Sequence, residues 1–283
     1  MANLLEIKNI RKSYGGKDAL KNVSFNVPPG SIVGFIGDNG AGKSTTFKIV
    51  LGLISKDAGT VNVFGQENMN KHPEIKERIG VVFDAANLPA HLTIKQLNKV
   101  FGQIFKSWDE NNFQRLVQVF SLPTDKKVNE FSRGMSMKLS VAVALSHHAE
   151  LLILDEATGG LDPSSREEML EELKRFVSDG VGGIVLSSHI MSDIEKIASH
   201  LVIIKEGEIL LNEEKAKVFE QYAIVDLPEE QLRSLDQEIV VAKRNRDSYY
   251  SVLVSDKQQL PSDMVTTPIT MDMISLLLTR SQE

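Results

Sequence analysis

The chain has 283 residues, 42% hydrophobic and 25% charged, which suits one large globular domain or a domain with a small appendage and leaves no segment poor enough in apolar residues to be a disordered tail. With 38 acidic against 32 basic residues the net charge is -6, which removes the electrostatic case for a nucleic-acid partner. There is no cysteine, so disulfide and thiolate chemistry are excluded, and the longest apolar runs, such as Leu151 to Leu154, fall far short of the ~20 residues of a membrane span.

Leu5 and Ile7, followed by Val23, Phe25 and Val27, alternate with polar residues and read as two strands of a small antiparallel layer. After the break at Pro28-Pro29-Gly30, Ile32 to Ile36 is a short apolar run that ends in a glycine-rich loop. Phe47, Val50, Leu51 and Ile54 then recur at helical spacing, so the order is strand, loop, helix. A second strand pair is expected near Val61 and Gly80 to Phe83. From Thr93 onward, Ile94, Leu97, Phe101 and Phe105 share one helical face, and Phe113, Leu116, Val117 and Phe120 share another, so residues 85–149 read as mostly helical. Leu151 to Leu154 and Ile184 to Leu186 resemble buried parallel strands, separated by a helix with Asp162 as its N-cap and Pro163 at its first position. From about residue 221 short alternating segments, Ile239 to Ala242 and Tyr249 to Val254, lead into an amphipathic helix carrying Met273, Ile274 and Leu277. The expected fold is α/β: a core over 1–220 with an antiparallel β layer and a helical insertion at about 85–149, then a small α+β appendage over 221–283.

Gly37-Asp38-Asn39-Gly40-Ala41-Gly42-Lys43-Ser44 matches the phosphate-binding pattern G-x-x-x-x-G-K-[ST], placed between an expected strand and an expected helix as the motif requires. Glycines let backbone N–H groups turn inward around phosphate oxygens, and the helix N-terminus, with Thr45 in its first turn, adds its positive end. Lys43 then reaches the terminal phosphates and Ser44 ligates Mg²⁺. Further along, the apolar strand Leu151 to Leu154 ends in Asp155-Glu156, where open α/β sheets place ligand chemistry. Alternation along a strand sends the two carboxylates in different directions, which makes Asp155 the metal candidate and Glu156 the general base toward water. Taken alone, such a pair is also what a strand ending in solvent-exposed acids looks like; the P-loop shifts the balance.

The order and spacing of these motifs resemble an ABC (ATP-binding-cassette) ATPase over residues 3–220. The resemblance implies an ATP- and Mg²⁺-dependent hydrolase with the P-loop NTPase fold, the ATP-binding subunit of a transporter. It further implies that Phe131-Ser132-Arg133-Gly134-Met135 stands where the family has Leu-Ser-Gly-Gly-Gln, so that Ser132 and the Gly134 N–H bind the γ-phosphate held by a second cassette. Read without the family, Ser132 is better taken as an ordinary helix N-cap before the helix of Leu139, Val143 and Leu145. By the same resemblance Tyr14 stacks on adenine, Gly160-Leu161-Asp162 forms the dimer-contacting D-loop, and His189 is the switch histidine. Lys43, Glu156 and His189 are thus the expected catalytic groups. Asp84, which follows Gly80-Val81-Val82-Phe83, occupies the place of the glutamine of the family's Q-loop, where its oxygen can meet Mg²⁺ or its water. The Arg-Gly-Met form of the signature points to exporter-type cassettes. What the resemblance implies about partners is an ATP-dependent dimer, either of two copies or with a paired cassette, docked on a transmembrane permease subunit at the cytoplasmic face of the cell membrane. No direct membrane insertion and no nucleic acid are expected. The alternative is a soluble, non-transport ABC ATPase acting as a remodelling or regulatory module.

Overall fold

The computed structural model describes residues 2–67, 69–83, 88–262 and 264–280. Strands β1 (Leu5–Tyr14) and β2 (Lys17–Val27) are joined by Gly15-Gly16, both with left-handed φ (55° and 83°), the mirror-image turn whose twist suits a two-residue hairpin. Their register pairs Leu5 with Val27, Ile7 with Phe25 and Ile10 with Val23, so the alternating apolar residues of both strands share one buried face. After β3 (Ile32–Ile36) and the P-loop comes α1 (Lys43–Val50). The helix stops one turn earlier than the apolar spacing suggested. Gly52, at φ 66°, turns the chain while its N–H bonds to Ile49 O and that of Leu53 bonds to Lys48 O, which leaves Ile54 outside the helix.

β4 (Ala58–Val63) and β5 (Ile79–Val82), with the short α2 (Pro73–Glu77) between them, do not pair with each other. They form opposite edges of one nine-stranded sheet. The strands β6 (Leu151–Asp155), β7 (Gly183–Ser187), β8 (His200–Lys205) and β9 (Glu208–Glu214) complete it in the order β4-β1-β2-β9-β8-β3-β7-β6-β5. Five neighbouring strands, β8-β3-β7-β6-β5, run parallel. β9 runs antiparallel to β8, and the antiparallel layer joins it through a single bridge between Asn22 and Glu208. Sequence periodicity cannot distinguish a paired strand from one at a far edge, because both show the same alternation.

Each central strand is buried on both faces. Val33, Phe35, Leu151, Ile153, Val185 and Val202 face α1 and the antiparallel layer, whereas Ile32, Ile36, Leu152, Leu154, Ile184 and Leu201 face the helices on the other side. Phe25, Phe35 and Phe47 stack in succession, centroids 5.1 and 5.6 Å apart, and clamp α1 to β3 on either side of the P-loop.

The helical insertion contains α3 (Ile94–Ile104), α4 (Glu110–Val119) and α5 (Arg133–Ala144). A capping box between Thr93 and Gln96 starts α3. Phe113, Leu116, Val117 and Phe120 are buried as expected, and Phe101, Phe105 and Trp108 pack together, with Trp108 Nε1 donating to Asn98 Oδ1 at 2.8 Å. His147 is stacked on Phe105 at 4.2 Å and its Nδ1 meets Glu77 O at 3.0 Å; burial holds its imidazole below the usual range, which keeps the ring neutral. α6 (Pro163–Val177) binds the insertion to the core: Glu172 takes both Arg115 Nη1 and Nη2, at 2.8 and 2.7 Å.

α7 (Met191–Ile197) precedes β8, and α8 (Lys215–Gln221) follows β9. The remaining residues form β10 (Ala223–Leu227), α9 (Glu229–Ser234), β11 (Val240–Asn245), β12 (Tyr250–Val254), β13 (Thr266–Thr267) and α10 (Met271–Arg280). Their antiparallel sheet runs β11-β12-β10-β13. One face of it has its own small core under α9, and the other shares the main core through Ile224, Leu253, Ile274 and Leu277. Glu195 on α7 accepts the Met271 N–H at the start of α10 (3.2 Å). Among the described residues no helix is long and apolar enough to cross a membrane.

Candidate nucleotide site

The site lies where β3, β7 and β6, adjacent in the sheet, reach their C-terminal ends, the place at which open α/β sheets hold ligands. After β3 the chain makes the loop 37–42 around a narrow cradle. A Cβ on Gly37 would come 2.4 Å from Ile204 O, and one on Gly42, at φ 115°, would come 2.5 Å from Leu20 Cδ2. Only glycine fits at either position. Lys43 is 7% exposed, and its ammonium donates to Gly37 O (2.5 Å) and Asp38 O (3.2 Å). An ammonium that lies on two carbonyls of its own loop, in a residue bordering a cleft, is placed to meet an anion. Lys43, Ser44 and Thr45 border a cleft of about 240 Å³ together with Asn39, Gly40 and Gly42, and their N–H groups are those that a helix start leaves unpaired. Ala41 is buried beneath the loop, where its carbonyl receives the Gly207 N–H at 2.9 Å.

The two carboxylates at the end of β6 part, but not by strand alternation: the strand ends at Asp155 and Glu156 lies in the turn beyond it. Asp155 continues the Leu151-Ile153 face toward α1; it accepts Ser44 Oγ–H at 2.9 Å on one oxygen and Ser187 Oγ–H at 2.6 Å on the other. Glu156 sits at φ 56°, a left-handed conformation that costs a β-carbon residue about 1–2 kcal/mol and that Ser187 sustains by accepting the Glu156 N–H on its O and Oγ. The turn sends the Glu156 side chain away from Asp155 and onto His189, with Oε2 2.5 Å from Nδ1. His189 itself stands 70% exposed at the exit of β7. A carboxylate beside an open face, fixed to an imidazole, can take a proton from water while the imidazole orients the group being attacked.

Glu156 and His189 also line a cleft of about 520 Å³, shared with Gly37, Asp38, Gly160 and Arg133. Of the signature segment it is therefore Arg133 that faces this cleft. Ser132 caps α5, its Oγ accepting the Met135 N–H at 3.2 Å, and Gly134 lies against Leu161 and Gly160. Asp162 caps α6 through Ser165, whose hydroxyl and N–H hold the Asp162 carboxyl below the usual range, and Pro163 follows at the first helical position. Tyr14 stands apart from both clefts, 49% exposed at the tip of the β1–β2 hairpin with the Lys12 ammonium 5.3 Å from its ring. Asp84 lies outside the described residues. Ser187 was not singled out from the sequence: its role depends on standing opposite Asp155 across the β6–β7 ladder, and that register is set by packing.

A family model described as ABC transporter matches residues 20–159, a span that takes in the P-loop, the Ser132 segment and Asp155-Glu156. The chain is 36% identical over 212 residues to the bacitracin transport ATP-binding protein BcrA of Bacillus licheniformis, covering 74% of this chain and 69% of that protein. It is 37% identical over 212 residues to the lantibiotic transport ATP-binding protein SrtF of Streptococcus pyogenes, covering 75% and 91%. Among solved structures, that of an ATP-binding subunit of an ABC transporter superposes with a TM-score of 0.70 at 28% identity, over 77% of this chain and 92% of that one. The relatives are transport proteins, which disfavours a soluble remodelling module. The P-loop cradle, the divided carboxylates and these likenesses agree: the chain belongs to the ABC transporter family, as an ATP-binding and ATP-hydrolysing transport subunit.

Proposed function

We propose that this chain powers export through a separate membrane-spanning permease, to which it docks at the cytoplasmic face, and that it works as a head-to-tail pair of cassettes enclosing two ATP molecules. The division of Asp155 toward Ser44 and Glu156 toward His189 is the observation that carries the hydrolytic part of this reading. Export is supported by relatives such as the Nod factor export ATP-binding protein I of Cupriavidus metallidurans, 34% identical over 212 residues. Residues 1–220 act as the cassette and 221–283 as an appendage on it.

In this reading the loop 37–42 and the first turn of α1 cradle the phosphates, and Lys43 leaves its loop carbonyls for their terminal oxygens. Ser44 and Asp155 offer hard oxygen donors already 2.9 Å apart, a donor set that fits Mg²⁺. The ion, when bound, neutralises charge developing on the phosphates. Glu156 accepts the proton of the attacking water, and His189 holds the water and γ-phosphate in line. Tyr14, exposed on its hairpin, supplies an aromatic face for the adenine. Asp84 is assigned to the Q-loop place beside the metal.

Ser132 and Gly134 serve the neighbouring cassette, so the pair closes only when phosphate contacts from both halves are made. Ser132→Arg should leave the ATP affinity of a single chain within about twofold, because the chain's own cradle is untouched. In a Glu156→Gln background the same change should abolish the ATP-dependent dimer seen by light scattering. A dimer that persists would remove Ser132 from the shared site.

A further inference from the structure

Behind the Glu156–His189 pair, three buried polar atoms have no hydrogen-bond partner among the described residues: Thr158 Oγ1, Arg166 Nε and Asp193 Oδ2. They come from three elements that converge on the site. Thr158 lies two residues beyond Glu156, Arg166 is in the first turn of α6, and Asp193 is in the first turn of α7, four residues beyond His189. Thr158 is 0% and Asp193 2% exposed. Arg166 reaches in two directions: Nη2 donates to Leu161 O at 3.1 Å, and Nε stands 3.8 Å from Asp193 Oδ2. Burial pushes the Asp193 carboxyl up, against the pull of the Thr158 hydroxyl and the Arg166 charge.

As adhesive between α6 and α7 this cluster is poor. A buried carboxylate regains its lost hydration only through short, well-directed partners, and an apolar trio of the same volume would hold two helices at least as well. The seam already carries an exposed pair, Lys196 to Glu167 at 2.5 Å, of the kind that adds little. What the cluster does is relate three parts of the site to one another. Asp193 is tied to the His189 exit by its N–H on Ile190 O (3.1 Å), Arg166 holds the Leu161 carbonyl of the loop 160–162, and Thr158 shares a tight turn with Glu156, closed by the Gly159 N–H on Glu156 O (3.0 Å).

We propose that Asp193 is a positioning residue for hydrolysis: buried opposite the Arg166 charge, with Thr158 as the third polar group of the cluster, it sets the place of α7, and with it His189, against Glu156 and the loop 160–162. The proposal rests on Glu156 and His189 being the hydrolytic pair. ATP is gripped on the far side of the cleft by α1 and the loop 37–42, so loosening α7 leaves binding intact while the alignment of water, base and histidine suffers. A misplacement of about 1 Å can cost up to a hundredfold in rate.

The test compares Asp193→Asn, Thr158→Val, Glu167→Gln and Glu156→Gln in the full chain, reading kcat, KM and the equilibrium affinity for ATP. Asp193→Asn should lower kcat about tenfold and Thr158→Val about threefold, with ATP affinity within about twofold of the original in both. Glu167→Gln, which opens only the exposed pair on the same seam, should match the original chain. Thr158→Val keeps the side-chain volume and decides the matter if Asp193→Asn fails to fold. Unchanged kcat in the folded variants, or kcat and ATP affinity falling in parallel, overturns the positioning role. Turnover lost in Glu156→Gln but kept in Asp193→Asn overturns this proposal alone; turnover kept in Glu156→Gln overturns the reading of the hydrolytic pair and this proposal with it.

Discussion

Glu156→Gln is expected to bind ATP about as well as the original chain and to hydrolyse it at least about a hundredfold more slowly, the usual scale for loss of a general base. The amide keeps the size of the carboxylate and can still meet His189, so the turn at φ 56° and its support from Ser187 should survive. Glutamine cannot take a proton from water at neutral pH. Binding depends on other atoms, those of the loop 37–42, Lys43 and Ser44, which border the same clefts as Glu156 but keep their charge and shape in this variant. Single-turnover phosphate release beside equilibrium binding of ATP separates the two effects. Turnover within a few-fold of the original would remove Glu156 from the base position and leave the Asp155 side of the site to account for the chemistry.

The second large effect is expected at Lys43. The residue is 7% exposed and its ammonium lies on the carbonyls of Gly37 and Asp38, inside the turn proposed to receive the phosphates. Lys43→Ala removes a charge-assisted contact worth about 1.5–3 kcal/mol, which corresponds to a loss of ATP affinity of roughly ten- to a hundredfold. Lys43→Met, which nearly fills the same space, should lose affinity to the same degree, because the defect is one of charge. Equal loss in the two variants, measured by calorimetric titration with ATP, assigns the effect to the ammonium. If Lys43→Met binds ATP like the original chain, the residue is a structural clamp of its own loop.

Much of the site could be read in the sequence because its parts are local. Gly37 to Ser44 specify a turn, a helix start and a cation within eight consecutive positions, and the adjacent Asp155-Glu156 pair marks the strand end, although the divergence of its carboxylates comes from the turn at Glu156. Asp162 with Pro163 announces its helix start by chemistry confined to one turn. What the sequence hid was relational. β4 and β5 show similar short apolar patterns yet end at opposite edges of the sheet, since edge or centre is decided by which strands arrive beside them. Ser187 matters because β7 lies next to β6 in a register that sets it opposite Asp155. The cluster of Thr158, Arg166 and Asp193 spans 36 positions of chain and becomes visible only when α6 and α7 are packed together. Arg133 was legible as a departure from the family pattern, but its place on the wall shared with Glu156 and His189 was not.

A transport ATPase acts on its permease, and the most direct measurement is purification of the full chain from its native membranes with phosphate release followed in the purified material. A polytopic membrane protein should co-purify in fixed proportion, and the complex should release phosphate from ATP in a Mg²⁺-dependent manner that Glu156→Gln abolishes. Recovery of the chain with no membrane protein attached, or with phosphate release indifferent to Glu156, would contradict the account.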